Sequence, residues 1–278
     1  MYRMIPTWFG SISVDSCKIT LIFDAPMTSL ASETIQLPDE VKHVACTHLH
    51  MAILMKHEKL AVRRLDDFEG NLTFLDLHTD LDVLLVATSR EIYAVERSGT
   101  SSEIVKILVD SVGISPKKNN LANKIQFPWP VRIVEAAAGH DFLIFRDTTG
   151  NLFSMGTGTR GELGVGLIRR VDEPVHIEQL VGIRIKKVAC GGWHTVALTE
   201  GGDAYTWGWN RYGQLGKDKG STEVYPVLID PEEEKFGEEN ILDVACTEHN
   251  TQIVIKTGHA PFVLGTNPTP PINEFHLD

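Results

Sequence analysis

Short apolar runs alternate with glycine-rich turns along most of this chain. In one stretch, the apolar runs Val188–Cys190 and Thr195–Leu198 flank a glycine-centred turn. A tight turn at Glu200–Asp203 then leads into the aromatic run Ala204–Gly208. Apolar runs of strand length between glycine turns predict β-hairpins, and helical periodicity is weak in these segments. The pattern therefore predicts an all-β protein.

This pattern occurs twice, with the second copy 52 positions after the first. Glycine supplies backbone bends that other residues rarely adopt, so glycines in register indicate that the same turns recur. Repeats with a period near 50 residues are typical of solenoids, arrays and propellers. The glycines that we assign to the repeat are Gly139, Gly156, Gly161 and Gly164 in the first copy and Gly191, Gly202, Gly208, Gly213 and Gly216 in the second.

Three weaker copies surround the two clear ones. They begin at Val44, Leu81 and Val244 and keep the apolar runs while losing most of the glycines. We therefore predict about five units within one domain, residues 1–266. Residues 98–130 are polar and contain several prolines, so an insertion or a long loop is expected there. The proline-rich residues 267–278 are expected to form an extended C-terminal tail.

Two strings carry a family resemblance: Gly191–Leu198, which reads GGWHTVAL, and Tyr205–Gly216, which reads YTWGWNRYGQLG. They resemble the repeat of the regulator of chromosome condensation family. The resemblance implies a β-propeller whose blades are four-stranded sheets. The number of units in this chain favours five to six blades, with seven possible. A ring closed by the N-terminal strand is expected, because closure removes exposed sheet edges.

The N-terminal Trp8-Phe9-Gly10, the weak early repeats and the long insertion are similar to those of one small nuclear member of this family. That resemblance implies a chromatin-associated adaptor in the nucleus, with a cytoplasmic location also possible. It further implies that the chain partners a JmjC-domain oxygenase that acts on histone tails. We expect a monomeric ring that works within a heteromeric complex.

Charge and composition restrict the possible partners. The chain has 37 acidic and 26 basic side chains and a net charge of −11. This balance disfavours direct binding of nucleic acid and suits basic protein segments. Of the four cysteines, three occur in repeated Val-Ala-Cys phrases, where each is expected to be a small buried apolar residue. No apolar run has the length of a signal peptide or a membrane span, so a reducing interior compartment is expected.

Candidate catalytic and metal-binding patterns are weak. His194 has no repeated nucleophile or acid beside it, and the resemblance implies a structural histidine that bonds backbone between strands. A group of histidines lacks a third ligand at defined spacing. The group is His43, His48, His50 and His57, of which His48 and His50 are expected to share a strand face. Gly156–Gly161 fits GxGxxG, yet it follows a strand inside a repeat, where no phosphate-binding helix is expected. We therefore expect no catalytic residue, no metal and no cofactor.

The turns that follow the clear strands carry the candidate binding residues. Aromatic residues and arginine are enriched at the energetic centres of protein interfaces, and turn side chains tend to face solvent. The candidates are Trp193, Trp209, Asn210, Arg211 and Tyr212. The alternative is that Trp193 and Tyr212 only cover the seams between blades.

Two functions stay open at this stage. The favoured one is a non-enzymatic adaptor that binds a protein partner, such as a JmjC-domain oxygenase or a histone tail. The alternative is a guanine-nucleotide exchange factor for a small Ran-like GTPase. The family resemblance implies that such a factor uses a wedge hairpin, and no segment of this chain matches one. A hydrolase or lyase that uses a central pocket has no supporting residue.

Overall fold

The computed structural model describes residues 3–7, 10–23, 32–57, 59–65, 72–76, 82–107, 109–110, 113–114, 124–217, 220–230, 240–255 and 260–265. Within these ranges the regular structure is β-strand, apart from one 3-10 turn, Glu178–Leu180. The all-β prediction is therefore confirmed. The same ranges contain no helix with the length and apolar character needed to cross a bilayer.

The chain divides into two compact units. The first consists of Met1–Ala94 and Val105–Asn123, and the second of Val95–Ile104 and Lys124–Asp278. The first unit begins with two antiparallel sheets whose strands follow chain order. Sheet 1 consists of β1 (Arg3–Thr7), β2 (Gly10–Asp15), β3 (Lys18–Phe23) and β4 (Ser32–Gln36). Sheet 2 consists of β5 (Val41–Cys46), β6 (His50–Met55), β7 (Lys59–Arg64) and β8 (Thr73–Asp76).

The third sheet contains residues of both units. Its first strands are β9 (Asp82–Ala87), β10 (Ile92–Ser98) and β11 (Ser101–Ile107). A small pair, β12 (Val109–Asp110) and β13 (Gly113–Ile114), follows in the chain. The strand β14 (Lys124–Gln126) then returns to the sheet, which has the order β14-β11-β10-β9.

The second unit contains three further sheets in chain order. Sheet 4 consists of β15 (Ile133–Ala138), β16 (Phe142–Asp147), β17 (Leu152–Thr157) and β18 (Arg170–His176). Sheet 5 consists of β19 (Ile185–Cys190), β20 (His194–Thr199), β21 (Ala204–Trp209) and β22 (Thr222–Leu228). Sheet 6 consists of β23 (Asp243–Cys246), β24 (Thr251–Val254) and β25 (Phe262–Leu264).

The core lies in seams between consecutive sheets. Sheets 4 and 5 bury Phe142, Ile185 and Trp207 between them, and all three are at most 1% exposed. The seam between sheets 5 and 6 contains Val196 and Ile253, both fully buried. In the first unit, one buried cluster joins sheets 1 and 2 and another joins sheet 2 to sheet 3. Within each unit, consecutive sheets therefore remove one another's apolar faces from water, as expected for a repeat architecture.

The hydrogen-bond register is the same in the two clear copies of the repeat. Phe142 pairs with Gly156 in sheet 4, and His194 pairs with Gly208 in sheet 5. In both sheets the pairing between the third and fourth strands shifts just before this glycine. The 52-residue offset in the sequence is therefore a true structural period.

The number of sheets agrees with the prediction of five to six blades, since the described residues form six sheets of three or four strands. The prediction of five repeat units does not include sheet 1. Its strand β1 pairs with β2, whereas sheet 6 has three described strands. Closure of the ring by the N-terminal strand therefore stays a prediction, and Trp8 and Phe9 lie outside the described residues.

The prediction of an insertion or long loop over residues 98–130 is wrong for part of that segment. Ser101–Ile107 forms β11 in the middle of sheet 3, and Lys124–Gln126 forms β14 at its edge. Ile104 and Val105 are at most 1% exposed. The polar residues that flank them conceal a strand whose apolar positions are buried by its neighbours. The domain boundary at residue 266 stays a prediction, and the tail 267–278 lies outside the described residues.

Candidate functional site

Five connections between strands meet at one end of sheets 4, 5 and 6. In an antiparallel sheet successive connections alternate between the two ends, so the first and third connections of a sheet lie at the same end. The first connections join β15 to β16, β19 to β20 and β23 to β24, and the third ones join β17 to β18 and β21 to β22. They carry His140, Arg160, Trp193, the segment Asn210–Tyr212 and His249, and Trp209 is the last residue of β21, directly before its connection.

Backbone hydrogen bonds hold three of these turns together. The His140 N–H donates to the Gly192 carbonyl at 3.0 Å, and the Gly192 N–H donates to the Glu248 carbonyl at 3.0 Å. A Cβ atom at Gly192 would lie 2.8 Å from the His140 ring. Glycine at this position therefore lets the turns of three consecutive sheets approach one another and fixes the side chains that they carry.

The side chains on these connections form a continuous group, which we call the aromatic cluster: His140, Arg160, Trp193, Trp209, Tyr212 and His249. The rings of Trp193 and Trp209 meet edge to face, with centroids 5.3 Å apart and planes at 80°. Tyr212 lies 5.4 Å from Trp209 and 5.0 Å from His249. Every member is partly exposed. The cluster is thus a rigid aromatic surface that stays in contact with solvent.

Arg160 occupies the corner between the two indole rings. Its Cζ atom lies 4.6 Å from the ring centroid of Trp193 and 4.6 Å from that of Trp209. Both distances are within the range of a cation–π contact. The guanidinium group therefore belongs to the cluster although it comes from the preceding repeat.

Glu162 fixes the backbone of the Arg160 loop. Its carboxylate accepts a hydrogen bond of 2.6 Å from the backbone N–H of Arg160. Its own carbonyl accepts a 2.8 Å bond from Nε1 of the buried Trp207. Glu162 is 2% exposed, and burial raises the pKa of its carboxyl group above the ordinary value. The loop is therefore anchored in the core of sheet 5.

The structure brings together four of the five candidate binding residues. Trp209 contacts both Trp193 and Tyr212, and the exposed Arg211 lies 6.0 Å above the ring of Tyr212. Trp193 also packs 4.5 Å from His140, on the preceding sheet. Its ring therefore covers a seam and faces solvent at the same time, so the two alternatives for Trp193 are compatible. Whether these residues bind a partner stays a prediction.

Asn210 corrects the candidate set, because it is 0% exposed. Its Oδ1 accepts a 3.0 Å hydrogen bond from the Leu215 N–H, and its Nδ2 donates to Ser221 Oγ at 3.1 Å. A side chain enclosed in this way stabilises the loop after β21 and has no surface to offer a partner. The string WGWN places Asn210 next to exposed residues, but sequence spacing does not show that its amide turns inward.

His194 is structural, as the family resemblance implies, and its ring bonds both a side chain and the backbone of the next repeat. The ring is 0% exposed, and its Nε2 lies 3.0 Å from Oγ1 of Thr251 on the next sheet. The Thr251 hydroxyl in turn donates to the Gln214 carbonyl at 2.8 Å. The ring also has a hydrogen bond to the backbone of Asn250, so the expected bond to backbone is present. Burial lowers the pKa of His194 to about 3, so the ring is neutral at physiological pH.

Sequence reasoning missed the contributions of Arg160, His140 and His249. Two of them carry a signal in the repeat register. Arg160 precedes Tyr212 by 52 positions, and His249 follows Trp193 by 56, which is the offset between the last two copies. Positions that are equivalent in consecutive repeats lie side by side at the same end of adjacent sheets. Arg160 and His249 are therefore predictable as the residues that are equivalent to Tyr212 and Trp193 in the neighbouring repeats.

Glycine is needed at the repeat positions for two different structural reasons. Gly208 has φ of +103°, and a Cβ there would lie 2.5 Å from the Trp193 carbonyl oxygen. Gly191 instead makes room for the His194 ring, whose Cε1 would lie 2.1 Å from an added Cβ. Gly139 does the same for Phe142. The prediction of recurring bends holds for the glycines with positive φ, which are Gly156, Gly161, Gly164, Gly202, Gly208, Gly213 and Gly216.

His48 and His50 do not share a strand face, so that expectation is wrong. His48 lies in the turn between β5 and β6, whereas His50 begins β6. His57 pairs with Asp39, whose pKa is lowered chiefly by that hydrogen bond. The described residues contain no group of three or more potential metal ligands. The segment Gly156–Gly161 leads from β17 toward the strand β18, as its place in the repeat indicates.

The repeated cysteines are free thiols in the structure. Cys46, Cys190 and Cys246 are each partly buried. Burial raises the pKa of Cys46 to about 12 and that of Cys246 to about 12. Such thiols stay protonated at physiological pH, which agrees with a packing role.

Comparison with known proteins identifies the repeats. The family model of the regulator of chromosome condensation (RCC1) repeat matches residues 149–198 and 201–254, and a second model of this repeat matches residues 185–214. RCC1 domain-containing protein 1 of Mus musculus is 48% identical over 85 residues. That segment spans 31% of this chain and 22% of the mouse protein. The predicted resemblance to this family is therefore confirmed.

Two solved structures share the fold. Human WBSCR16 has a TM-score of 0.68 at 18% identity, over 86% of this chain and 67% of that one. Prp20p from Saccharomyces cerevisiae, described together with its binding properties to Gsp1p and histones, has a TM-score of 0.66 at 15% identity. This match covers 89% of this chain and 68% of Prp20p. Together with the repeats, these similarities confirm the predicted β-propeller of the RCC1 type.

Proposed function

We propose that this chain, which carries RCC1 repeats, is a non-enzymatic propeller that binds a protein partner through the aromatic cluster. The observation that carries the proposal is the meeting of Trp193, Trp209, Tyr212 and Arg160 at one end of consecutive sheets. Tryptophan, tyrosine and arginine are the residue types that most often dominate the energy of protein interfaces. Their partial exposure leaves apolar ring surface for a partner to cover.

The rigidity of the cluster supports a binding role. The hydrogen bonds through Gly192 hold three turns in one arrangement, and Glu162 anchors the loop of Arg160. A surface that is already ordered loses little conformational entropy when a partner binds.

The partner that we propose is a nuclear, chromatin-linked protein, with a JmjC-domain oxygenase as the first candidate and a histone tail as the second. The first candidate is what the sequence resemblance to one small nuclear family member implies, and the similarity to RCC1 domain-containing protein 1 over 85 residues supports that resemblance. The net charge of −11 and the histone binding described for Prp20p support the second. In either case the chain acts as a monomeric ring within a heteromeric complex.

The second candidate function is nucleotide exchange on a small Ran-like GTPase. Its support is the structural similarity to Prp20p, which is described with its binding to Gsp1p. Purified protein is then expected to accelerate the release of labelled GDP from such a GTPase. The adaptor proposal predicts that the release rate stays at the level of the protein-free control.

Affinity capture from nuclear extract tests the adaptor proposal. We expect the wild-type protein to retain a specific partner, and the double variant Trp209→Ala, Arg211→Ala to lose at least nine-tenths of it. A matched control is Arg184→Ala, whose side chain is 75% exposed on a connection at the other end of the sheets. Melting curves of all three proteins show whether the fold is kept. Equal recovery with the wild type and the double variant would overturn the proposal.

A further inference from the structure

The guanidinium group of Arg160 is fixed before any partner arrives. It lies against two indole rings whose planes are 80° apart, at 4.6 Å from each centroid. An arginine that is already held in place loses little further side-chain freedom when a ligand binds to it. Few surface arginines meet this condition, because a long side chain in solvent samples many rotamers.

The N–H edge of this guanidinium has no hydrogen bond or ion pair with any residue that the structure describes. The carboxylate of Glu162, two residues along the chain, is buried and accepts a bond from the backbone of Arg160. Guanidinium carries five N–H donors in a planar fork whose geometry fits two oxygens of one carboxylate or phosphoryl group. Arg160 therefore presents a donor edge of this kind.

The other charged groups at the rim leave this edge accessible to an anion. Arg211 is exposed beside Tyr212 and adds a second positive charge. The exposed Glu248 accepts a hydrogen bond from His140 at 3.1 Å, and its other oxygen lies 3.9 Å from His249 Nδ1. Glu248 is thus already bonded within the cluster. The buried Glu162 carboxylate interacts electrostatically with Arg160, and Asp141 is a further exposed carboxylate on the connection that carries His140.

We propose that Arg160 binds an oxyanion on a peptide segment of the partner, either a side-chain carboxylate or a phosphoryl group. This inference rests on the proposed function, because it assigns a ligand chemistry to the same aromatic cluster. The two N–H groups of the fork bind the anion, and the rings of Tyr212 and His249 pack beside the adjoining side chain. Arg160 already occupies one face of each indole ring, so a cation of the partner would have to bind elsewhere on the surface.

Short blocked peptides test the chemistry without a known partner. We would titrate the protein at pH 7.5 with an acetylated, amidated tetraglutamate peptide and with its phosphoserine, glutamine and lysine counterparts. The indole N–H signals of Trp193 and Trp209 report binding by nuclear magnetic resonance. Trp207, whose Nε1 bonds the Glu162 carbonyl, serves as an internal reference. The glutamate and phosphoserine arms distinguish the two sources of the oxyanion.

The expected result is that one or both acidic peptides bind, and that the glutamine and lysine peptides bind at least tenfold more weakly. Arg160→Lys keeps the charge but loses the fork, so we expect about tenfold weaker binding. Arg160→Ala should lose binding altogether, while Arg184→Ala stays within twofold of the wild type. The lysine variant also keeps the test decisive where the alanine variant does not fold.

The proposal is overturned by any of three results. These are failure of both acidic peptides to bind at 5 mM, equal binding of the glutamine peptide, and unchanged binding by Arg160→Lys. Partner capture that requires Trp209 but not Arg160 would overturn this inference and leave the proposed function standing. If both the Trp209 and the Arg160 variants still captured the partner while the wild-type protein bound the acidic peptide, the proposed function would be refuted instead.

Discussion

A buried hydrogen bond joins the ring of His194 to the hydroxyl of Thr251 across two adjacent sheets. The distance between Nε2 and Oγ1 is 3.0 Å, and both residues are 0% exposed. The hydroxyl hydrogen of Thr251 is used in its bond to the Gln214 carbonyl. His194 therefore donates from Nε2–H, which defines its neutral tautomer. One imidazole thus connects sheets 5 and 6 and the loop after β21.

This arrangement predicts that stability falls as the pH is lowered. Burial lowers the pKa of His194 from 6.5 to about 3, so the unfolded chain binds a proton at higher pH than the folded one. Where the unfolded state binds more protons, the free energy of unfolding decreases with decreasing pH. The loss begins near pH 6.5, reaches about 2 kcal/mol at pH 5 and ends near pH 3.

Urea denaturation at pH 7.5 and pH 5 measures this effect. The control is His194→Asn, because asparagine occupies the equivalent position as Asn250 in the next repeat. The variant should lose about 2 kcal/mol less than the wild type between the two pH values. Equal losses in the two proteins would show that His194 is not the titrating group.

Removing the hydroxyl of Thr251 should destabilise the protein by about 1–3 kcal/mol, because the buried imidazole N–H and the Gln214 carbonyl lose their partner. Thr251→Val has nearly the same shape and tests this directly. Thr251→Ser keeps the hydroxyl and should be the more stable of the two variants. Chemical denaturation with the same denaturant series compares them, and a valine variant as stable as the serine one contradicts this role.

Gly208→Ala should be among the most damaging single substitutions, at more than about 3 kcal/mol. Its φ is +103°, and the new Cβ would lie 2.5 Å from the backbone carbonyl oxygen of Trp193, in the turn that precedes β20. Gly220→Ala is the matched control, since its φ is +97° but no residue that the structure describes lies within 4 Å of the added atom. We expect about 1–2 kcal/mol there from backbone strain alone. Similar thermal denaturation shifts for both variants would rule out the close contact as the cause.

Asn210 and Arg211 are neighbours in sequence with opposite expected roles. Asn210→Ala removes hydrogen bonds that hold the loop after β21, so we expect a loss of about 2–3 kcal/mol. Arg211→Ala changes an exposed side chain and should alter the free energy of unfolding by less than about 0.5 kcal/mol. Partner binding is compared at a temperature where the Asn210→Ala protein is folded. There, Arg211→Ala should weaken partner binding and Asn210→Ala should not. Weaker partner binding by Asn210→Ala, with unchanged binding by Arg211→Ala, would show that Asn210 belongs to the interface.

The sequence carries the fold most clearly where the repeat keeps its glycines. Gly156 and Gly208 mark the same place in the strand register of sheets 4 and 5, so their spacing predicts the period directly. Sheet 1 escapes the repeat pattern because its strands have no such glycines and depend on burial of residues such as Ile12 and Ile19. Strand β11 resembles a loop in sequence for a related reason. Its apolar residues are few, and only neighbouring strands reveal them as core.

The candidate site was predictable in part. Trp193, Trp209 and Tyr212 stand out by residue type, but the inward turn of Asn210 depends on loop geometry that one sequence does not specify. Arg160 lies 33 residues before Trp193 in the chain and reaches it only because adjacent sheets stack. Contacts between repeats follow from the register of the repeats, and not from proximity along the chain.

Site-specific photo-cross-linking tests most directly whether the aromatic cluster is the partner-binding surface. A photoreactive phenylalanine analogue would replace Tyr212 in one protein and Val181 in another. Val181 is 61% exposed and lies between β18 and β19, at the opposite end of the sheets. The account predicts that a captured partner cross-links in nuclear extract from position 212 and not from position 181. A partner that cross-links from position 181 and not from position 212 would contradict it.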